Sequence, residues 1–116
     1  MTKKITEQFK EEREALNEIV MKYASLNVKR FYNLDTRVYQ EGALSSKTKE
    51  LLGLVASLVL RCDDCIKYHV IRSHEVGVTS EELEEALAIG LTVGGSITIP
   101  HLRRALQAWD ELSEGF

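Results

Sequence analysis

The chain has 116 residues, of which 44% are hydrophobic and 28% charged, and its net charge at pH 7 is −3. This length predicts a single domain over residues 1–116, and the composition excludes an intrinsically disordered chain. Acidic and basic residues are interspersed, so the sequence offers no basic surface to nucleic acid or to an anionic membrane.

The spacing of apolar residues predicts helices along the N-terminal half of the chain. The first helix extends to about Ala24. The second follows Asn27, which we expect to be its N-cap, and ends at Gly42. A third, mostly buried helix is capped by Ser45 or Ser46 and runs to the end of an apolar stretch.

The C-terminal half of the sequence predicts three more helices and no strand. The fourth holds two cysteines and ends before Gly77, a residue suited to the left-handed conformation. Thr79 and Glu82 form a capping box that opens the fifth helix, which residues 94–95, two glycines, interrupt. The last helix begins around Pro100. The sequence therefore predicts an all-α fold of about six helices.

Neither export nor membrane insertion is indicated. The N-terminus lacks the apolar stretch of a signal peptide. The longest apolar run, residues 51–60, is about half as long as a membrane-spanning helix and is interrupted by Gly53 and Ser57. We therefore expect a cytoplasmic protein without a membrane partner. In that reducing compartment a close cysteine pair is more often catalytic or metal-binding than structural.

A Cys-x-x-Cys pair, Cys62 and Cys65, is followed four residues later by His69. On a helix these offsets place the three side chains on one face, within about 60° of one another. Residues four apart are neighbours, so the imidazole can activate Cys65 as a thiolate more readily than the first thiol. A helix start would also favour the thiolates, whereas Asp63 and Asp64 oppose them.

Two other interpretations of the cysteines stay open. They could be small apolar residues of a buried helix. They could also hold zinc together with the histidine, which would require one more ligand. The candidates for that ligand are His74, His101, Asp63 and Asp64.

Glu50 precedes Cys62 by twelve residues, and this spacing, with Cys65 and His69 after it, resembles the signature of the carboxymuconolactone decarboxylase family. The resemblance covers roughly residues 44–87. It is strongest to the AhpD-like alkylhydroperoxidase branch, and here to its short members with a single helical unit. It implies an all-α fold with the Cys-x-x-Cys at the start of a central helix, and a homo-oligomer, either a trimer or a hexamer.

The resemblance also implies a peroxidase mechanism without metal or other cofactor. Glu50 and His69 would relay a proton from Cys65, which would attack a small hydroperoxide. Cys62 would resolve the sulfenic acid as a disulfide, and an external dithiol reductant would reduce that disulfide again. Asp64 stands where the best-known alkylhydroperoxidases carry a histidine, which weakens the relay that the resemblance implies.

Two alternative functions remain beside the peroxidase. One is the acid–base decarboxylation of a lactone that names the family, which needs no thiol cycle. The other is a non-enzymatic helical module whose cysteines are inert or bind zinc.

Overall fold

The computed structural model describes residues 4–113, which form six α-helices and one short 3-10 helix. No strand occurs among them, so the predicted all-α fold is confirmed. The α-helices, in chain order, are α1 (Ile5–Tyr23), α2 (Leu26–Val38), α3 (Ser46–Leu60), α4 (Asp63–Glu75), α5 (Ser80–Gly94) and α6 (Ile99–Ser113). The 3-10 helix, Ser96–Thr98, leads into α6.

The core lies between α3, α4, α5 and α6. Helix α3 packs against α4 and α5, and α4 packs in turn against α6, so α4 is central. Burial of these apolar side chains stabilises the fold at roughly 25 cal/mol per Å². The buried side chains of this core are Leu54, Leu58, Ile66, Val70, Val78, Leu83, Leu87, Ala105, Ala108 and Trp109.

Local signals in the sequence determine most helix ends correctly. The Ser45 side chain accepts a hydrogen bond from the Thr48 amide and caps α3. Thr79 and Glu82 form the predicted capping box of α5. Gly77 has a φ of +88°, which confirms the left-handed turn after α4.

The predicted bounds of the second helix were wrong at both ends. Helix α2 begins at Leu26, with Ser25 rather than Asn27 at the N-cap position, and the Ser25 side chain makes no capping hydrogen bond. The helix ends at Val38, four residues before Gly42, and the Lys49 ammonium binds the backbone at this end. Lys49 Nζ donates to the carbonyls of residues 38 and 40, at 2.9 and 2.7 Å, and so satisfies acceptors that a helix end leaves free.

Helix α1 is fastened to the far end of α6 by Glu111. The carboxylate accepts hydrogen bonds from the amides of Ile5 and Thr6, each at 3.0 Å, and from the Thr6 hydroxyl. Burial works to raise the pKa of Glu111, but these hydrogen bonds outweigh it and lower the pKa. Glu111 therefore caps α1 as a charged carboxylate at neutral pH.

Helix α2 buries none of its residues within the described chain. Phe31 is 66% exposed and Leu34 56% exposed, and α1 adds further exposed apolar side chains. We call this set the α1–α2 apolar surface; it consists of Leu16, Ile19, Tyr23, Leu26, Phe31, Leu34 and Val38. No helix within residues 4–113 is long and apolar enough to cross a bilayer.

Candidate active site

The cysteine pair lies at the junction of α3 and α4. Arg61 ends α3 in the left-handed conformation, with φ +59°, and Cys62 is the N-cap of α4. The structure joins Cys62 and Cys65 as a disulfide with their Cα atoms 5.3 Å apart. The Cys65 amide donates to Cys62 Sγ at 3.3 Å. The predicted placement of the pair at the start of a central helix is therefore confirmed.

Cys65 opens onto a cavity of about 660 Å³ between α1, α2 and α4. Its side chain is exposed, whereas that of Cys62 is half-buried and does not line the cavity. His69 and Tyr68 line the same cavity, and the Arg13 guanidinium lies 4.2 Å from the centre of the Tyr68 ring. The other aromatic side chains of the wall are Phe9, Phe31 and Tyr32. A solute in this cavity can therefore reach Cys65 before Cys62.

At the cavity wall, His69 is the middle member of a hydrogen-bonded chain of three side chains. His69 Nδ1 lies 2.9 Å from Glu50 Oε1, and His69 Nε2 lies 3.3 Å from the Tyr39 hydroxyl. Because a carboxylate only accepts, the Nδ1 nitrogen carries the proton and Nε2 accepts from Tyr39. The ring is thereby held in one tautomer with its basic nitrogen on the Tyr39 side.

Glu50 is a buried carboxylate with two cationic or polar partners. Its side chain is 1% exposed, and Arg72 Nε lies 3.6 Å from the oxygen that His69 does not bind. A buried charge is tolerated where such partners satisfy it. Burial raises the pKa of Tyr39, and the charges of Asp35 and Glu50 raise it further, so Tyr39 is a neutral phenol at neutral pH.

The structure spreads the four predicted site residues along α3 and α4, with Glu50 near the start of α3, the cysteines at the start of α4 and His69 in the middle of α4. Glu50 and His69 are in direct contact, and Cys65 shares the cavity wall with His69. Helical spacing predicted a contact between the His69 imidazole and Cys65. In the structure, Nε2 of His69 instead contacts the Tyr39 hydroxyl. The roles of these residues in catalysis stay predictions.

Tyr39 was missed by the sequence analysis. It follows α2 directly, thirty residues before His69, and no motif connects the two. The only related signal is Gly53, noticed as an interruption of an apolar run. A Cβ atom there would come within 2.8 Å of the Tyr39 hydroxyl and closer still to His69, so the glycine makes room for their contact.

Three of the four side chains proposed as further zinc ligands have other contacts. His101 Nδ1 lies 2.9 Å from Asp63 Oδ1, and the His74 ring packs edge-on against Trp109, with centroids 5.4 Å apart. Within residues 4–113, no group of three or more His, Cys, Asp or Glu side chains is placed to hold a metal ion.

Comparison with known proteins identifies the family. The model of the carboxymuconolactone decarboxylase family matches residues 27–108. The chain belongs to this family. The match includes Glu50, both cysteines and His69, and it confirms the resemblance seen in the sequence.

Relatives of this decarboxylase-family chain occur in several bacteria. The uncharacterized protein 4 in the cox locus of Paracoccus denitrificans is 31% identical over 82 residues, which are 71% of this chain and 74% of the relative. An uncharacterized protein of Cupriavidus necator is 32% identical over 74 residues, which are 64% of this chain and 66% of the relative.

Solved structures of the family share the fold closely. A Thermotoga maritima member, for which involvement in an antioxidative response has been suggested, is 59% identical with a TM-score of 0.88, covering 92% of this chain and 91% of that one. An apo structure of a Legionella pneumophila member is 26% identical with a TM-score of 0.86, covering 94% and 97%.

Proposed function

We propose that this protein is a thiol-dependent peroxidase that reduces small hydroperoxides by cycling Cys62 and Cys65 between dithiol and disulfide. The observation that carries the proposal is the placement of an exposed, disulfide-forming Cys65 on the same cavity wall as His69, which is paired with the buried Glu50. The antioxidative part suggested for the similar Thermotoga maritima protein supports it.

Cys65 is the attacking residue in this proposal. Its thiolate attacks the terminal oxygen of R–O–O–H, an S–O bond forms, and the O–O bond breaks. The products are a sulfenic acid on Cys65 and R–O⁻, which takes up a proton to leave as the alcohol. The Cys62 thiol then displaces the hydroxyl group, so that water leaves and the disulfide forms. An external dithiol supplies the two electrons that restore both thiols.

In this proposal the Tyr39 hydroxyl, which donates to Nε2 of His69, carries the proton of Cys65 to that nitrogen, and the relay returns it to the leaving alkoxide. Glu50 stabilises the imidazolium formed in between through its contact with Nδ1. This relay uses neither metal nor cofactor. It also leaves no role for a histidine at position 64, where Asp64 lies exposed on the cavity wall.

The chain of Tyr39, His69 and Glu50 also favours a second candidate, the acid–base decarboxylation of a lactone dicarboxylate. Such a reaction would use the relay without the sulfurs. A double variant, Cys62→Ser with Cys65→Ser, separates the two functions. Lactone decarboxylation that survives in this variant would support the second candidate, and loss of peroxide reduction alone would support the first.

The proposed enzyme is a cytoplasmic homo-oligomer, a trimer or a hexamer, in which the α1–α2 apolar surface contacts other copies. Within residues 4–113, helix α2 buries none of its residues, so packing there stabilises it little and leaves its apolar side open to another copy. Sedimentation equilibrium tests this part of the proposal. A Leu34→Asp variant is expected to dissociate, and a wild-type chain that sediments as a monomer would contradict it.

The cycle itself is tested by adding a slight excess of hydroperoxide to the reduced protein. We expect the free thiols to fall from two to none, with a loss of two hydrogen atoms in the intact mass. Cys65→Ser abolishes the reaction, whereas Cys62→Ser stops at a sulfenic acid that dimedone traps. An unchanged mass in the wild-type protein would contradict the peroxidase and leave an inert helical module, and zinc released on unfolding would indicate a metal site.

A further inference from the structure

A charged cluster at the first turn of α4 has no part in the proton relay. Asp63, which follows Cys62 directly, accepts from His101 Nδ1 at 2.9 Å and from Arg104 Nε at 3.0 Å. Burial works to raise the pKa of Asp63, but the hydrogen bonds from His101 and Arg104 outweigh it and lower the pKa. Asp63 is therefore charged at neutral pH, and both of its partners belong to α6.

This pairing changes how Asp63 acts on its neighbouring sulfur. A free carboxylate next to a thiolate disfavours it, but the positive charge of Arg104 offsets the carboxylate here. The helix start adds a favourable contribution, since the Cys65 amide donates to Cys62 Sγ and Cys62 is the N-cap of α4. The helix start therefore favours negative charge on Cys62, and the paired Asp63 carboxylate opposes that charge less than a free carboxylate would.

The two sulfurs also differ in access. Cys65 is exposed beside the cavity, whereas Cys62 is half-buried. An incoming thiolate therefore reaches Cys65, and the sulfur that must leave is Cys62. A thiol that is a more stable anion leaves faster.

We propose that Arg104 and His101, by binding Asp63, act as positioning residues that make Cys62 the leaving thiolate when a dithiol reduces the disulfide. The first reductant sulfur bonds to Cys65 Sγ as the disulfide bond between the two cysteines breaks. The electron pair of the breaking bond passes to Cys62 Sγ, which leaves as the thiolate. The second reductant thiol then displaces Cys65, and the reductant leaves as its own disulfide. This inference rests on the thiol cycle proposed above and assigns its reductive half.

The test measures how readily Cys62 ionises, with Cys65→Ser as the background so that one thiol remains. The rate of alkylation by iodoacetamide is followed against pH. Asp63→Asn removes the negative charge. At pH values below the midpoint of the rate-against-pH curve, it is expected to increase the alkylation rate about three-fold. Arg104→Gln removes the positive charge and is expected to decrease it about three-fold.

The opposite expected changes in alkylation rate distinguish an electrostatic effect from loosening of the structure. Both substitutions break the same ion pair, so loosening would change the rate in the same direction. Shifts in the same direction for both variants would overturn the inference. Arg103→Gln is the matched control, since it removes one positive charge from an exposed neighbouring position of α6. A rate change in this control equal to that of Arg104→Gln would also overturn it.

A second measurement uses the two-cysteine protein and dithiothreitol as the reductant. Trapping the mixed disulfide and mapping it by mass spectrometry is expected to find the reductant on Cys65, and a reductant found on Cys62 would overturn the inference. Neither measurement requires peroxide. Failure of the peroxidase assay alone therefore contradicts the proposed function and leaves this inference supported.

Discussion

Gly53 lies directly against the ring of His69. A Cβ atom on Gly53 would be 2.7 Å from Cε1 and 2.8 Å from Nε2 of this ring, and 2.8 Å from the Tyr39 hydroxyl. Glycine in the middle of a helix costs up to about 1 kcal/mol relative to alanine. The contact between His69 and Tyr39 is therefore obtained at the expense of helix propensity in α3.

Gly53→Ala is expected to displace His69 and to destabilise the protein by about 1–3 kcal/mol through overpacking, despite the better helix propensity of alanine. Peroxide-dependent disulfide formation should slow as well. Denaturant unfolding and the thiol assay measure the two effects. Gly42→Ala is the control, because its Cβ would meet only Lys49 Nζ, at an ordinary 3.6 Å. Equal behaviour of the two variants would contradict the prediction.

Tyr39→Phe removes the hydroxyl that donates to Nε2 of His69 while keeping the aromatic ring. We expect disulfide formation after peroxide addition to slow by roughly ten-fold or more, with a changed pH profile and an unchanged fold. Stopped-flow kinetics and circular dichroism measure these properties. Tyr23→Phe, at a side chain that is 78% exposed, is the matched control. A Tyr39→Phe rate equal to that of the control would show that the hydroxyl has no part in the relay.

Glu111→Gln is expected to destabilise the protein at neutral pH by about 1 kcal/mol, because a charged cap of α1 is lost. The pKa of Glu111 is lowered in the folded state, so its contribution is present above the pKa of the unfolded chain. It is lost as the pH falls through the folded pKa.

The difference in melting temperature between the wild type and Glu111→Gln should therefore shrink on acidification. Thermal melts over a range of pH measure it. Asp110→Asn, at the adjacent exposed position, should show no comparable difference. A difference that stayed constant down to strongly acidic pH would argue against the cap.

Ser73→Ala is expected to stabilise the protein, by about 0.5–1 kcal/mol. The Ser73 hydroxyl is fully buried and has no hydrogen-bond partner within residues 4–113, so its removal abolishes a desolvation cost. Ser57→Ala is the contrasting variant, since the Ser57 hydroxyl donates to the Gly53 carbonyl at 2.7 Å. Urea unfolding ranks the two, and a less stable Ser73→Ala protein would contradict the expectation.

Local signals along the chain predicted much of the fold. The capping box of Thr79 and Glu82 and the left-handed turn at Gly77 depend on neighbours in the sequence, and both were confirmed. The N-cap at Asn27 was wrong because Leu26 already lies in the helix. The spacing of apolar residues predicted an apolar face on α2. Spacing cannot tell whether such a face is buried within the same chain. That residues 1–116 form one domain stays a prediction.

The candidate site was predictable where its residues share a motif. Cys62, Cys65 and His69 lie within eight positions, and the family resemblance added Glu50. Tyr39 could not be predicted, because its contact with His69 depends on how the segment after α2 folds across α3. The cluster of Asp63 with His101 and Arg104 depends on tertiary packing in the same way, with about forty residues between its members.

The carboxylate that holds α1 has a consequence for how this protein is made. Helix α1 supplies one wall of the cavity beside Cys65, yet its cap, Glu111, lies 105 and 106 residues further along the chain. A nascent chain that has not yet released α6 from the ribosome therefore has its reactive sulfurs but lacks this fastening. During synthesis the thiols are therefore present before the cavity beside Cys65 is complete.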